Sequence, residues 1–161
     1  MKTLDEYYES CAKEIYTYIY SFCHNHEIAE DIVQDTFYKA YTNISKTNAN
    51  HLKAWLFKTA YNTFIDYIRK EKRNHPLDTI HMTIHYSNIE HKLMEKEEIQ
   101  EIFFQIHQLP FNQKQALLLH TIHKLSYSEI SGILETTESS VKSLIFRARA
   151  TLRKKNGGMT S

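Results

Sequence analysis

The chain has 161 residues, of which 42% are hydrophobic and 24% are charged, and this ordinary globular composition argues against a disordered protein. Three glycines and two prolines are too few for the turns of a sandwich or barrel or for a glycine-rich nucleotide loop, so the composition favours helices. The formal net charge of +1 would by itself disfavour a nucleic-acid-binding protein.

Apolar residues at helical spacing predict three helices in the first half of the chain, over residues 4–22, 28–44 and 51–73. The polar segment 45–50 separates the last two. In the second helix the inward residues should be Ala29, Ile32, Val33, Thr36, Phe37, Ala40 and Ile44. In the third helix they should be Leu56, Ala60, Phe64, Tyr67 and Ile68.

Residues 74–88 break this pattern, because they contain Pro76 and show weak periodicity. Helices are predicted again over 89–108 and 112–123, then in a short element ending at Leu134, and last over 138–155. Ser126 and Glu129 form a capping box for the short helix.

These elements predict an all-α protein with two small helical domains. We place the domains at residues 1–73 and 92–155, joined by a flexible linker over residues 74–91 and followed by a tail over residues 156–161.

The last predicted helix has an apolar and a basic side. Its apolar side consists of Val141, Leu144, Ile145, Ala148 and Leu152. Its other side presents Ser139, Lys142, Ser143, Phe146, Arg147 and Arg153. A short helix, a tight turn and a helix with a basic face are typical of a helix-turn-helix, whose polar side chains bind phosphates and base edges. The alternative is a solvated basic helix with one surface aromatic.

The third predicted helix has a second basic face, formed by Trp55, Lys58, Asn62, Asp66, Arg69 and Arg73. Proteins bind single-stranded nucleic acid with cationic side chains along the phosphate backbone and with amides and aromatic rings that contact unstacked bases. This face contains all three kinds of side chain. The alternative is that Trp55 packs at the domain edge while the cations are merely solvated.

The second helix carries Asp31, Gln34, Asp35 and Tyr38 at spacings that share one polar side. This cluster could bind a positively charged partner. Paired carboxylates can also serve acid–base catalysis. One helical face of carboxylates is usually only solvated, however, so we expect no catalytic site.

Histidine pairs raise the alternative of a metal site. The pairs are His24/His26, His81/His85 and His120/His123. The last two spacings can share a helix face, but no CxxC motif accompanies them, and we expect neither a metal nor another cofactor. Cys11 lies on an apolar stripe and should be packed.

Nothing in the sequence predicts export or membrane insertion. The chain contains no run of about 18 apolar residues, and its first ten residues are polar and acidic rather than a signal peptide. Because Cys11 and Cys23 make no disulfide framework, we expect a cytoplasmic protein.

The near-neutral total hides a segregation of charge. Residues 1–35 carry two basic and eight acidic residues, and residues 74–137 carry four basic and eight acidic residues. Residues 53–73 carry six basic and two acidic residues, and residues 138–155 carry six basic and one acidic residue. Two basic segments on an acidic chain indicate nucleic-acid binding.

Three blocks, in this order and at this spacing, resemble bacterial sigma factors of the extracytoplasmic-function (ECF) group, the small alternative promoter-specificity subunits of RNA polymerase. Residues 29–41 (AEDIVQDTFYKAY) resemble the helix that binds the polymerase clamp. Residues 54–69 (AWLFKTAYNTFIDYIR) resemble the −10 recognition block. Residues 125–130 (LSYSEI) and 140–149 (SVKSLIFRAR) resemble the −35 helix-turn-helix.

The resemblance implies a role for each block in a subunit that is not itself an enzyme. The residues that would contact the β′ clamp helices of core RNA polymerase are Asp31, Gln34, Asp35 and Tyr38. The residues that would bind the −10 element are Trp55, Lys58, Asn62, Arg69 and Arg73, with Asn62 and the loop 43–50 holding a flipped base. The residues that would read the −35 element are Ser139, Lys142, Ser143, Phe146 and Arg147.

The resemblance also implies further partners and two departures. The polymerase β flap and an anti-sigma factor, often membrane-anchored, are expected partners, and the linker would run towards the polymerase active-site cleft. Glu135 stands where the family usually has glycine, so a left-handed backbone there would cost free energy. Ser131 stands where alanine is common.

Two rival functions remain open at this stage. A stand-alone helix-turn-helix regulator would need a dimer and paired half-sites, and it leaves Asn62 and the acidic cluster unexplained. A metal hydrolase would have to be built on the histidine pairs.

Overall fold

The structure is a computed structural model that describes residues 4–43, 51–74 and 97–155. Seven helices account for most of these residues. These residues contain no strand, and the chain divides into two units, residues 1–85 and 86–161. The all-α, two-domain prediction is therefore confirmed. The linker over residues 74–91 falls almost wholly outside the described residues, as does the tail, so the domain boundaries stay a prediction.

Unit 1 consists of α1 (Leu4–Cys23), α2 (His26–Thr42) and α3 (Leu52–Asn74). Helix α2 begins two residues earlier than predicted because Asn25 caps it, its side-chain oxygen accepting a hydrogen bond from the Ile28 N–H at 3.0 Å. The chain turns between α1 and α2 at His24, whose φ of 52° is left-handed.

Aromatic side chains join α1 and α3 in the core of unit 1. The ring of Tyr18 lies 5.4 Å from that of Phe22 and 5.3 Å from that of Phe57, and Phe22 contacts Phe64 at 6.1 Å. All four are buried, and burying a side chain of this size contributes about 1.5–3 kcal/mol. A polar contact joins α2 and α3, because Lys39 Nζ donates a hydrogen bond to Thr63 Oγ1 at 2.9 Å.

Unit 2 consists of α4 (Glu97–His107), α5 (Phe111–Thr121), α6 (Tyr127–Leu134) and α7 (Glu138–Lys155). The first part of the predicted helix 89–108, residues 89–96, lies outside the described residues. Helix α5 ends two residues before the predicted position 123, and the chain then reverses at Lys124, whose φ is 62°.

The core of unit 2 is aliphatic. Its fully buried apolar side chains are Ala116, Leu119, Ile130, Ile133, Val141, Ile145 and Ala148. They come from α5, α6 and α7, so α6 and α7 pack as a pair on α5. None of the helices in the described ranges is both long and apolar enough to cross a membrane.

Candidate nucleic-acid interface

Capping side chains determine where α6 and α7 begin. Ser126 and Glu129 form the predicted capping box, the Ser126 hydroxyl accepting from the Glu129 N–H at 3.1 Å and the Glu129 carboxylate from the Ser126 N–H at 2.9 Å. At the start of α7 the Thr137 hydroxyl accepts from the Ser140 N–H at 3.0 Å. Both helices therefore begin at positions that their own side chains define.

Glu135 joins the two helices in the left-handed conformation, with φ 54° and ψ 52°. Its N–H donates to the Ser131 carbonyl, and the Thr136 N–H reaches the same oxygen at 3.0 Å. The backbone at Glu135 thus has the left-handed geometry that glycine usually adopts at this position. The Glu135 side chain raises the free energy of that conformation.

The outer face of α7 is exposed as predicted. Of the predicted buried set, Val141, Ile145 and Ala148 are buried, while Leu144 and Leu152 are half-buried. All predicted outer residues are exposed: Ser139, Lys142, Ser143, Phe146, Arg147 and Arg153. The Phe146 side chain is 67% exposed, more than any other large side chain without a polar atom among the described residues. The face thus offers hydroxyls, cations and one apolar ring to a ligand.

The outer face of α3 is less open than predicted. Asn62, Arg69 and Arg73 are exposed, whereas Trp55 and Lys58 are only partly accessible. Arg69 forms an exposed ion pair with Asp66 at 3.5 Å, a kind of contact that contributes at most about 1 kcal/mol.

The inward face of α3 differs from the prediction at its C-terminal end. Leu56, Ala60 and Phe64 are buried as predicted, but Tyr67 and Ile68 are only half-buried, and Tyr67 lines an open groove between α2 and α3. Partial burial, reinforced by Glu71, raises the pKa of the Tyr67 phenol.

The polar side of α2 is exposed at every predicted position: Asp31, Gln34, Asp35 and Tyr38. The Tyr38 ring is 70% exposed. The opposite side is buried as predicted from Ala29 to Ala40, and Ile44 lies outside the described residues. Helix α2 therefore presents two carboxylates, an amide and an aromatic ring on one surface.

Comparison with known proteins gives two family matches that together cover most of the chain. Sigma-70 region 2 matches residues 7–74, and Sigma-70, region 4 matches residues 99–152. The ECF RNA polymerase sigma factor SigM of Bacillus subtilis (strain 168) is 34% identical over 152 residues, which are 94% of this chain and 93% of SigM. The chain belongs to the ECF group of the sigma-70 family.

Two further relatives agree with this placement. The ECF RNA polymerase sigma factor SigW of Bacillus subtilis (strain 168) is 35% identical to this ECF sigma factor over 154 residues, with 88% of this chain and 82% of SigW covered. The sigma factor RpoE from Bartonella quintana, solved in complex with the anti-sigma factor NepR, has a TM-score of 0.75. That match covers 99% of this chain and 100% of RpoE at 22% identity, which shows the shared fold.

A groove of about 600 Å³ lies between α2 and α3 of this ECF sigma factor. Asp31 and Asp35 of the acidic cluster line it together with Arg69 and Arg73 of the basic face. The sequence predicted two separate surfaces on two helices, whereas the structure brings parts of them to one groove. Gln34 lies apart from it, in a smaller groove between α1 and α2.

Of the three predicted histidine pairs, the structure describes His24/His26 and His120/His123. His26 contacts the Tyr16 hydroxyl through Nδ1 at 2.7 Å and Glu30 through Nε2 at 3.0 Å. His123 is buried, and His81 and His85 lie outside the described residues. Within the ranges described, no three His, Cys, Asp or Glu side chains come together as a metal site would require.

Sequence reasoning missed three basic or aromatic residues of the region 4 unit, which is unit 2 and contains the match to Sigma-70, region 4. Arg149 and Lys124 line a shallow cavity of about 500 Å³ beside the start of α6. Arg149 follows Lys142 by seven residues, and this spacing, two helical turns, was a signal for a shared side of α7. Tyr127 contacts Lys142 from α6, a tertiary contact that no sequence spacing reveals.

Proposed function

We propose that this ECF sigma factor binds core RNA polymerase, recognises the −35 and −10 elements of a promoter and helps to open the promoter. One observation carries the proposal: the exposed basic faces of α3 and α7 lie within the segments that match regions 2 and 4 of one family. The protein acts in the cytoplasm as a specificity subunit, without catalysis or a cofactor of its own.

The −35 element is read by the outer face of α7. Lys142 and Arg147 supply cations for phosphates or guanine edges, and Ser139 and Ser143 supply hydroxyls. The Phe146 ring offers an apolar surface for a thymine methyl group. Phe146 is more exposed than any other large side chain without a polar atom in the described residues, and this supports a binding role for the face.

The −10 element is held by α3 as a single strand. Flipping a base out of the duplex costs a few kcal/mol. Stacking of the base on an aromatic ring contributes about 1–3 kcal/mol of favourable free energy per base. Asn62 offers its amide to a flipped base, and the accessible part of Trp55 offers a ring surface. Lys58, Arg69 and Arg73 follow the backbone.

The polymerase is bound through the polar side of α2. Asp31 and Asp35 complement a cationic partner, and an exposed tyrosine such as Tyr38 is a frequent energetic centre of protein interfaces. The β′ clamp helices are the proposed partner of this side, and the β flap is the proposed partner of the region 4 unit. We also propose that the two domains span residues 1–73 and 92–155 and that residues 74–91 link them.

An anti-sigma factor is the proposed regulator. RpoE from Bartonella quintana, which shares this fold, was solved with the anti-sigma factor NepR. We propose that a partner of this class binds this sigma factor and withholds it from polymerase.

Run-off transcription tests the proposed function directly. Purified core polymerase is combined with the chain on genomic fragments, and we expect transcripts that begin at a small set of promoters and that require the chain. The matched control is Lys142→Ala, which should lose transcription from −35-dependent promoters and keep polymerase binding. Equal loss of both activities contradicts the −35 assignment.

Two further outcomes contradict the proposal as a whole. A dimer in solution that binds paired half-sites without polymerase indicates a stand-alone regulator. A gel shift in which the chain alone binds promoter duplex as tightly as the holoenzyme does contradicts dependence on polymerase.

A further inference from the structure

The ring of Tyr127 contacts two other side chains of the region 4 unit. Lys142 Nζ lies 5.6 Å from the ring centroid, within the distance at which an aromatic face attracts an ammonium ion. The imidazole of His120 lies 4.7 Å from the Tyr127 ring, centroid to centroid, at an interplanar angle of 31°. The three residues come from α5, α6 and α7, so the contacts link all three helices.

The Tyr127 ring is held by the His120 side chain and by its own backbone at the start of α6. His120 Nδ1 lies 3.0 Å from the Leu125 carbonyl oxygen, and since a carbonyl only accepts, Nδ1 carries the proton and donates it. Tyr127 is the first residue of α6 and directly follows the capping residue Ser126, whose two hydrogen bonds with Glu129 hold the helix start. The ring therefore projects from a well-defined backbone.

We propose that Tyr127 positions Lys142 for recognition of the −35 element. Lysine carries its charge on a flexible four-carbon chain, so binding DNA must restrict many side-chain conformations. A ring face that attracts the ammonium group in the unbound protein restricts them beforehand, which lowers the cost of binding. This inference rests on the proposed role of Lys142, and Tyr127 acts through Lys142 rather than as a DNA contact of its own.

Substitutions at Tyr127 in two backgrounds test the proposal. Tyr127→Leu removes the aromatic face, and the matched control Tyr127→Phe keeps it. Each variant is made with Lys142 present and with Lys142→Ala. The holoenzyme of each full-length variant is titrated with a duplex carrying a promoter found by run-off transcription, and with the same duplex altered in its −35 element.

With Lys142 present, Tyr127→Leu should weaken binding to the intact promoter by about two- to fivefold. Binding to the altered duplex should change less, and Tyr127→Phe should bind like the unmodified protein. With Lys142→Ala, the leucine substitution should have no further effect, because the residue that it positions is gone. Tyr127→Met, which is flexible and lacks a ring, serves as the second variant if the leucine variant fails to fold.

Four results would overturn the inference. An equal loss in both backgrounds means that the ring merely supports the packing of α6. A loss in Tyr127→Phe equal to that in Tyr127→Leu assigns the effect to the hydroxyl group. If Lys142→Ala weakens binding and Tyr127→Leu does not, the positioning role alone fails, whereas no effect of Lys142→Ala removes the proposed −35 role of Lys142 and the inference with it.

Discussion

Glu135→Gly should stabilise the region 4 unit without changing its DNA-binding face. Glu135 occupies the left-handed region with φ 54° and ψ 52°, where a side chain meets its own backbone. The residue is exposed, and its backbone N–H makes the bond to Ser131 that closes the turn, so glycine would keep every backbone contact. The substitution therefore removes strain and little else.

The size of the effect follows from two opposing terms. A left-handed residue with a side chain costs about 1–2 kcal/mol. Glycine has more freedom in the unfolded chain, which costs about 0.5–1 kcal/mol on folding. The net gain in the free energy of unfolding should be about 0.5–1 kcal/mol. With a urea dependence of about 1–2 kcal/mol per molar for a small domain, the midpoint should rise by about 0.5 M.

Urea unfolding followed by two probes separates the units. Trp55 is the only tryptophan and lies in unit 1, so its fluorescence follows that unit, whereas far-ultraviolet circular dichroism follows the helices of both units. We expect the dichroism transition to move to higher urea and the fluorescence transition to stay in place. Glu138→Gly, in the first turn of α7, is the matched control and should lose about 1 kcal/mol. A lower dichroism midpoint for Glu135→Gly would refute the argument from backbone strain.

Three further predictions concern binding and pH. Asp35→Lys should weaken binding to core polymerase by about tenfold or more in a pull-down titration, while Glu9→Lys, an exposed charge reversal on α1, should not; equal effects would contradict the role of α2. Lys142→Ala should lower the slope of log affinity against log salt by about one in holoenzyme–promoter titrations, and an unchanged slope would argue against a phosphate contact. Burial raises the pKa of the Tyr16 phenol above its ordinary value of 10.0. The resulting stabilisation of the folded state is present below that value and is lost as the pH rises through the folded pKa. The midpoint of urea unfolding, followed by Trp55 fluorescence, should therefore decrease above about pH 10. The decrease should be smaller in Tyr16→Phe, which has no phenol at this position.

The parts of the site that follow from helix geometry could be predicted from the sequence. A rotation of 100° per residue separates Val141 and Ile145, which are buried, from Lys142 and Phe146, which are exposed. Helix ends were less predictable, since the start of α2 depends on a hydrogen bond that the Asn25 side chain accepts from the Ile28 N–H rather than on apolar periodicity.

Relations between helices could not be predicted, because periodicity says which side of a helix is buried and not what lies beside it. The contact of Tyr127 with Lys142 and the groove between α2 and α3 are of this kind. The partial burial of Trp55 is another, since a residue on the outer side of its own helix is still covered in part by its surroundings.

The net charge of this sigma factor is only +1, and the groove between α2 and α3 brings acidic and basic side chains of the chain together. Asp31 and Asp35 line the same groove as Arg69 and Arg73, so charges of both signs act on a ligand that enters it. In the protein alone, the carboxylates oppose the approach of phosphates to the guanidinium groups. Under the proposed assignment, a cationic polymerase surface covers the carboxylates and removes that opposition. Because phosphate neutralisation supplies most sequence-independent affinity, polymerase binding and promoter binding should strengthen each other.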